Sequence, residues 1–177
     1  MNVSLREISR KDIPSINNWR INEELVGHLG APFRYIDQEI DEKWYDAYLQ
    51  NRGTEVRLAI EVVEGDIKYY IGNAYLTSID QINRSSIFSI FIGDKNFWGR
   101  GIGSEVTHKV LSHAFDDLNL HRVCLYVLGS NLRARSMYEK IGFKLEGTMR
   151  KAVFKGGFYS DLHFMGILKE EFLNGDD

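Results

Sequence analysis

The fold is decided by the segment Ile87-Phe88-Ser89-Ile90-Phe91-Ile92-Gly93 and by the segment Trp98-Gly99-Arg100-Gly101-Ile102-Gly103-Ser104 that follows it. The first is apolar and rich in β-branched and aromatic residues, which is typical of a buried strand. The second contains three glycines in five residues. It opens a predicted helix, because apolar residues then recur with i, i+4 spacing at Ile102, Val106, Val110, Ala114 and Leu118.

A strand, a glycine loop and a helix in this order predict an anion site. The first N–H groups of a helix lack intrahelical partners and lie at the positive end of the helix dipole. Glycines let the backbone approach a phosphate closely. The loop is not of the GxxxxGK[ST] type, since Ser104 follows Gly103, and it is not a Rossmann GxGxxG loop, since Val106 replaces the third glycine.

Two motifs together resemble the GNAT superfamily of N-acetyltransferases. Trp98 to Gly103 is similar to its acyl-CoA pyrophosphate loop, Q/R-x-x-G-x-G/A, with Trp98 in place of the usual Gln or Arg. Asn131 to Phe143 resembles its second motif, N-x-x-A-x-x-x-Y-x-x-x-G-F, and begins 28 residues after Gly103. The resemblance extends over nearly the whole chain. It is greatest for the branch of ribosomal-protein N-terminal acetyltransferases and spermidine acetyltransferases.

The resemblance implies an α/β (α+β) fold with a mixed, mostly antiparallel sheet of about seven strands flanked by helices, in a single domain over 1–177. It implies transfer of an acetyl group from acetyl-CoA to a primary amine by direct attack in a ternary complex. The acceptor could be a protein N-terminus, a polyamine or an amino sugar. The alternatives are a different acyl donor, or a non-catalytic acyl-CoA-binding sensor or interaction module on the same fold.

The resemblance also assigns residues to the cofactor. The end of the central strand would bind pantetheine as an added strand does, and the glycine loop would bind the pyrophosphate. Asn131 would hydrogen-bond the cofactor, and Arg100 and Lys140 would reach phosphate oxygens. Tyr138 would be the general acid that protonates the leaving thiolate. The cofactor set is Phe91, Ile92, Gly93, Trp98, Gly99, Arg100, Gly101, Ile102, Gly103, Ser104, Asn131 and Lys140.

Several residues are candidates for the general base and for the acceptor site. Related enzymes often have a Glu near the start of the central strand, where this chain has Ile87 or Phe88. Glu23, Glu24, Glu61 or a chain of waters could replace it. The N-terminal helices would cover the acceptor side, which makes their aromatic and charged residues candidates for substrate binding: Trp19, Arg20, Glu23, Glu24 and Trp44.

Composition excludes several classes of protein. A net charge of −3 and a pI of about 6.0 give no basic field for nucleic acid or an acidic membrane surface. A lone Cys124 allows no internal disulfide, and the His spacing gives no metal site. The chain has no apolar run of 18 residues, which predicts a cytoplasmic protein. A homodimer is compatible with apolar residues near the predicted hairpin, such as Phe154 and Phe158.

Periodicity and turn residues predict the remaining elements. Helices are expected from Asp12, over 23–29, over 37–50 and over 132–141, the third with Ile40, Trp44, Ala47 and Tyr48 as its apolar face. Strands over 56–63, 69–79 and 87–93 would form an antiparallel meander. A strand over 122–128 and a hairpin that turns at Gly156-Gly157 would follow, with a polar tail over 168–177.

Overall fold

The central feature of the computed structural model, which describes residues 2–173, is one seven-stranded sheet in the order β1-β2-β3-β4-β5-β7-β6. All neighbouring strands are antiparallel except β4 and β5, which are parallel. The predicted mixed sheet is therefore confirmed. The strands are β1 (Asn2–Glu7), β2 (Val56–Glu64), β3 (Ile67–Asp80), β4 (Ser85–Ile92), β5 (Arg122–Leu128), β6 (Lys144–Lys155) and β7 (Phe158–Leu168).

Strands β4 and β5 pair over a short distance and then separate. Their ladder contains only Ser85, Ser86 and Ile87 of β4, opposite residues 122–124 of β5. On its other side β4 remains paired with β3 as far as Gly72 opposite Ile92. The sheet is therefore open between the second half of β4 and β5, on the side from which the glycine loop leaves.

Helices cover both faces of the sheet. They are α1 (Ile13–Arg20), α2 (Glu23–Gly27), α3 (Gln38–Gln50), α4 (Ile102–Ser112), α5 (Leu132–Ile141) and α6 (Lys169–Leu173). The larger core joins the sheet to α4, α5 and Phe172 of α6. A smaller core joins α1 and α3 to Ala59 of β2. This second layer forms one wall of the cavity described below.

The predicted apolar face of α3 is confirmed for Trp44 and Tyr48, which belong to the smaller core, and wrong for the other two residues. Ile40 is 46% exposed and Ala47 is also exposed, whereas Asp41 and Tyr45 are buried. Periodicity placed a carboxylate outside, but Asp41 receives hydrogen bonds from Arg20 and from Asn17 of α1. A buried charge is tolerated when it is paired in this way, so the helix turns its acidic side inward.

Local signals in the second half of the chain predicted the structure closely. Asn131 accepts a hydrogen bond from the Ala134 N–H at 3.1 Å and caps α5, and Gly142 ends that helix with a φ of 112°. Gly156 and Gly157 both have positive φ, as a tight hairpin turn requires. The predicted polar tail is corrected in part, because 169–173 is helical and Phe172 is buried, whereas 174–177 lies outside the described residues.

The central strand ends in a bulge, because the N–H groups of Gly93 and Asp94 both donate to the Ile71 carbonyl, at 2.8 and 3.1 Å. Two residues of the central strand thus face one residue of β3, which is the pattern of a β-bulge. The opening between β4 and β5 begins where their ladder ends at Ile87, and the bulge at Gly93 lies at its far end, before the glycine loop.

Candidate active site

The glycine loop presents a row of free backbone donors. Gly99 and Gly101 have φ values of 81° and 78°, which are unfavourable for other residues. The N–H groups of Ser104 and Glu105 donate to the Gly101 carbonyl. Within the described chain, the N–H groups of 99–103 donate to no protein acceptor. Five unpaired donors at the N-terminus of α4 can bind an anion such as a pyrophosphate.

The end of β4 lies beside this loop. Gly93 N–H donates to the Ile71 carbonyl at 2.8 Å, so this amide points toward β3. Because backbone groups alternate along a strand, Ile92 points into the opening toward β5. Its carbonyl accepts from Trp98 Nε1 at 2.9 Å. Of the three predicted positions, only Ile92 has backbone groups directed into the opening, and one of them already binds the Trp98 indole.

Helix α5 closes the other side of the loop. A Cβ atom at Gly103 would lie 3.1 Å from the Met137 sulfur, so α4 and α5 are in close contact here. At the N-terminus of α5, the side-chain amide of Asn131 donates to the His28 carbonyl at 3.2 Å, while its oxygen caps the helix. Asn131 therefore links α5 to the segment that follows α2.

Tyr138 lies on the buried face of α5, next to the point where β4 and β5 separate. Its ring packs edge-on against Phe88 and Phe143, at centroid distances of 6.4 and 5.6 Å. Phe88 is the first residue of β4 beyond the ladder with β5. Burial raises the pKa of the Tyr138 phenol well above its usual value. The phenol is therefore protonated throughout the neutral range and can donate a proton.

The two predicted phosphate-binding cations are on the surface. Arg100 forms an ion pair with Glu64 at 2.8 Å, and its guanidinium lies 5.0 Å from the centre of the Phe97 ring. Lys140 is exposed on the last turn of α5. The geometry therefore gives the backbone amides a more direct role in anion binding than these side chains.

A cavity of about 180 Å³ lies between the sheet and the N-terminal helices. Trp19 and Trp44, which the sequence assigned to substrate binding, both line it. The Trp19 ring is 5.0 Å from Tyr70 and 6.0 Å from Phe91. The complete lining is Ile16, Trp19, Arg20, Val26, Leu29, Trp44, Arg57, Asn73, Tyr75 and Phe91.

Three of these polar residues were not anticipated. Arg57, Asn73 and Tyr75 lie on β2 and β3, and their side chains share one face of the sheet with Phe91. Arg57 lies over the rings of Trp44 and Tyr75, at 4.6 and 4.9 Å. Nothing local in the sequence indicates a cavity at these positions, since strand pairing brings them together.

The proposed carboxylate candidates do not line the cavity. Glu23 and Glu24 are exposed on α2, and Glu24 pairs with Lys95. Glu61 is buried and pairs with Arg6 at 2.7 Å and with Lys68 at 2.5 Å. Burial disfavours the charged form of Glu61, but these hydrogen bonds outweigh it and lower its pKa. A carboxylate held by two cations is a poor base.

Comparison with known proteins decides the family. A sequence model described as an acetyltransferase (GNAT) domain matches residues 2–144. The chain belongs to the GNAT family. It is 30% identical to a spermidine N(1)-acetyltransferase of Vibrio cholerae over 173 residues, which cover 97% of this chain and 96% of that protein. It is 31% identical to the putative ribosomal N-acetyltransferase YdaF of Bacillus subtilis over 128 residues, 72% of this chain and 66% of that one.

The solved structures agree with this assignment. The spermidine N-acetyltransferase of Vibrio cholerae, crystallised with CoA and spermine, superposes on this chain with a TM-score of 0.90 at 30% identity. The match covers 97% of this chain and 98% of that one. The predicted family, fold and acyl-CoA-dependent N-acetyltransferase activity are confirmed.

Two further features of the described residues bear on function. No three His, Cys, Asp or Glu side chains in 2–173 converge to form a metal site. Among the same residues, no helix has the length and apolarity needed to cross a membrane.

Proposed function

We propose that this GNAT enzyme transfers the acetyl group of acetyl-CoA directly to a primary amine within a ternary complex. The relative that was crystallised with both CoA and spermine supports a site that takes donor and acceptor together. Cys124 is 7% exposed and burial raises its pKa, which makes it a poor nucleophile for a covalent intermediate. Bound acetyl-CoA supplies an activated thioester, so the chain needs only to position the amine and to manage charge and protons.

The residues of the glycine loop fit the cofactor. The free amides of 99–103 can hold the pyrophosphate, with the first turn of α4 adding its dipole. The Ile92 N–H can bond pantetheine in the opening between β4 and β5, as an added strand would. Asn131, Arg100 and Lys140 remain proposed contacts at the edge of this site.

Tyr138 is proposed as the general acid. The observation that carries this role is a protonated phenol, packed on Phe88, beside the opening of the sheet. Protonation of the departing thiolate lowers the barrier to amide formation. Trp19 and Trp44, which line the cavity, are proposed to bind the acceptor, and a contact of Glu23 and Glu24 with the acceptor stays a prediction because they lie outside the cavity.

Replacing Tyr138 with Phe tests this role. The change keeps the ring and its contacts with Phe88 and Phe143, so the cofactor affinity should be unchanged. We expect kcat to fall roughly 10²–10⁴-fold, the usual contribution of a general acid. Thiol release from acetyl-CoA measures kcat, and Tyr159→Phe on the exposed hairpin is the matched control. Wild-type kcat in Tyr138→Phe would contradict the assignment.

We propose one domain over 1–177, a cytoplasmic location, no bound metal, and no nucleic-acid or membrane partner. A homodimer is also proposed, since Phe154 and Phe158 of the β6–β7 hairpin are 59% and 77% exposed. Light scattering on the purified chain measures the mass of the particle and tests it.

A further inference from the structure

The acceptor cavity has an unusual chemical character for a polyamine site. Its polar side chains are the indoles of Trp19 and Trp44, two guanidinium groups, an amide and a phenol. Each of these offers a hydrogen-bond donor. None of the side chains that line the cavity is a carboxylate. The cavity therefore favours a ligand group that accepts hydrogen bonds.

Arg20 and Arg57 each use only part of their N–H groups in hydrogen bonds to other side chains of the protein. Arg20 uses Nη1 to bind Asp41, a fully buried carboxylate that also accepts from Asn17 at 2.8 Å. Within the described residues, Nε and Nη2 of Arg20 have no acceptor. Arg57 uses Nε and Nη2 on Glu55, at 2.7 and 2.6 Å, which leaves Nη1 free.

The neighbouring amide and phenol add to this set. The Oδ1 atom of Asn73 accepts from the Tyr70 hydroxyl at 2.7 Å, so the Nδ2 group is the part of Asn73 that remains available. The Tyr75 hydroxyl has no partner in the described part of the chain. Burial raises the pKa of Tyr75, so this phenol is protonated and can donate.

These donors discriminate between classes of amine. A polyamine is a chain of ammonium groups, which are donors without acceptors and carry the same sign as both guanidinium groups. A carboxylate or a phosphate accepts several hydrogen bonds, and the planar guanidinium binds either anion with two parallel N–H groups. Asp41 and Glu55 balance the arginine charges but do not line the cavity.

We propose that the acceptor amine carries an anionic group, either a carboxylate or a phosphate, which binds Arg20 and Arg57 in this cavity. The amine then lies toward Phe91, at the end of β4 that borders the opening. This inference rests on the proposed function, because it assigns a substrate class to the same site.

Matched pairs of amines test the proposal. The pairs are phosphoethanolamine with ethanolamine, δ-aminovalerate with n-pentylamine, and glucosamine phosphate with glucosamine, with spermidine added as a polyamine. Charge-assisted hydrogen bonds predict a kcat/KM roughly 10–100-fold higher for the anionic member. Comparison of the carboxylate pair with the phosphate pairs shows which of the two anionic groups the cavity prefers.

Variants of Arg20 and Arg57 then show whether these two residues cause the preference for an anionic group. Arg57→Gln should reduce the preference, measured as the ratio of kcat/KM for the two members of a pair, roughly 10-fold. Arg20→Gln is combined with Asp41→Asn, so that no unpaired carboxylate is left buried. Arg20→Lys should restore part of the preference. Arg135→Gln, on an exposed ion pair of α5, is the control and should keep the full preference.

The outcomes separate this inference from the function on which it rests. If spermidine or the amines that lack an anionic group were acetylated with equal or greater kcat/KM, the anionic acceptor would be overturned and acetyl transfer would stand. An anionic preference that survives in both arginine variants would also overturn it. Failure to acetylate any amine would overturn the proposed function and this inference together.

Discussion

Gly93 is a position where one added methyl group should separate cofactor binding from acceptor binding. Its backbone lies against the Trp19 ring, and a Cβ atom there would be 2.1, 2.4 and 2.5 Å from three ring atoms. Carbon atoms in good contact are about 3.5–4.0 Å apart. Gly93→Ala therefore requires the ring, or the end of β4, to move by more than about 1 Å.

The cost of this movement follows from the packing. Trp19 is held by Tyr70 and Phe91 and lines the cavity. Overpacking of this kind lowers the free energy of unfolding by about 1–3 kcal/mol. For a chain of this length that is a fall in Tm of roughly 2–12 °C. The KM for the amine should rise by a larger factor than the Kd for acetyl-CoA, because Trp19 lines the acceptor cavity whereas the free amides of 99–103 lie beyond the altered contact.

Thermal unfolding, titration with acetyl-CoA and amine kinetics on Gly93→Ala measure these three quantities. Gly53→Ala is the control, since no heavy atom lies within 4 Å of a Cβ at that glycine. The variant Trp19→Ala/Gly93→Ala completes a double-mutant cycle, in which the cost of the added methyl should largely disappear. Wild-type Tm and KM in Gly93→Ala would refute this reasoning about Trp19.

Two other predictions concern the binding of acetyl-CoA at the glycine loop and the free energy of unfolding at low pH. Gly101→Asp places a negative charge at the free amides and should weaken acetyl-CoA binding about 10-fold or more; equal affinity to a Gly53→Asp control would show that the anion binds elsewhere. Arg6→Gln removes hydrogen bonds of 2.7 Å to buried Asp12 and should cost about 2 kcal/mol at neutral pH. Burial disfavours ionisation of Asp12, but the bonds from Arg6 and Ser9 outweigh it and lower its pKa. This stabilisation is lost as the pH falls below about 4, so urea unfolding of wild type and Arg6→Gln should converge in acid; a constant difference would contradict it.

Local patterns in the sequence predicted the elements that depend on local chemistry. The strand, glycine loop and helix from Ile87 onward are of this kind, since the free amides follow from backbone geometry that glycines permit. The cap at Asn131 and the turn at Gly156-Gly157 are also local. Such signals lie within a few residues of the feature that they specify.

The cavity could not be predicted because its chemistry is assembled from distant segments. Arg57 and Tyr75 meet Trp44 only through the pairing of β2 with β3 and the packing of α3. Asp41 of α3 can face inward because Arg20, on another helix, donates a hydrogen bond to it. A periodicity argument treats Asp41 as solvated, so it places Ile40 inside in its stead, although it places Trp44 and Tyr48 correctly.

The most direct test of the account is to mix the purified chain with acetyl-CoA and the amine panel, and to measure thiol release and acetylated amine in the same samples. We predict that one class of amine is acetylated and that each thiol released is matched by one molecule of product. Thiol release without acetylated amine, or no binding of acetyl-CoA, would contradict direct transfer to an amine.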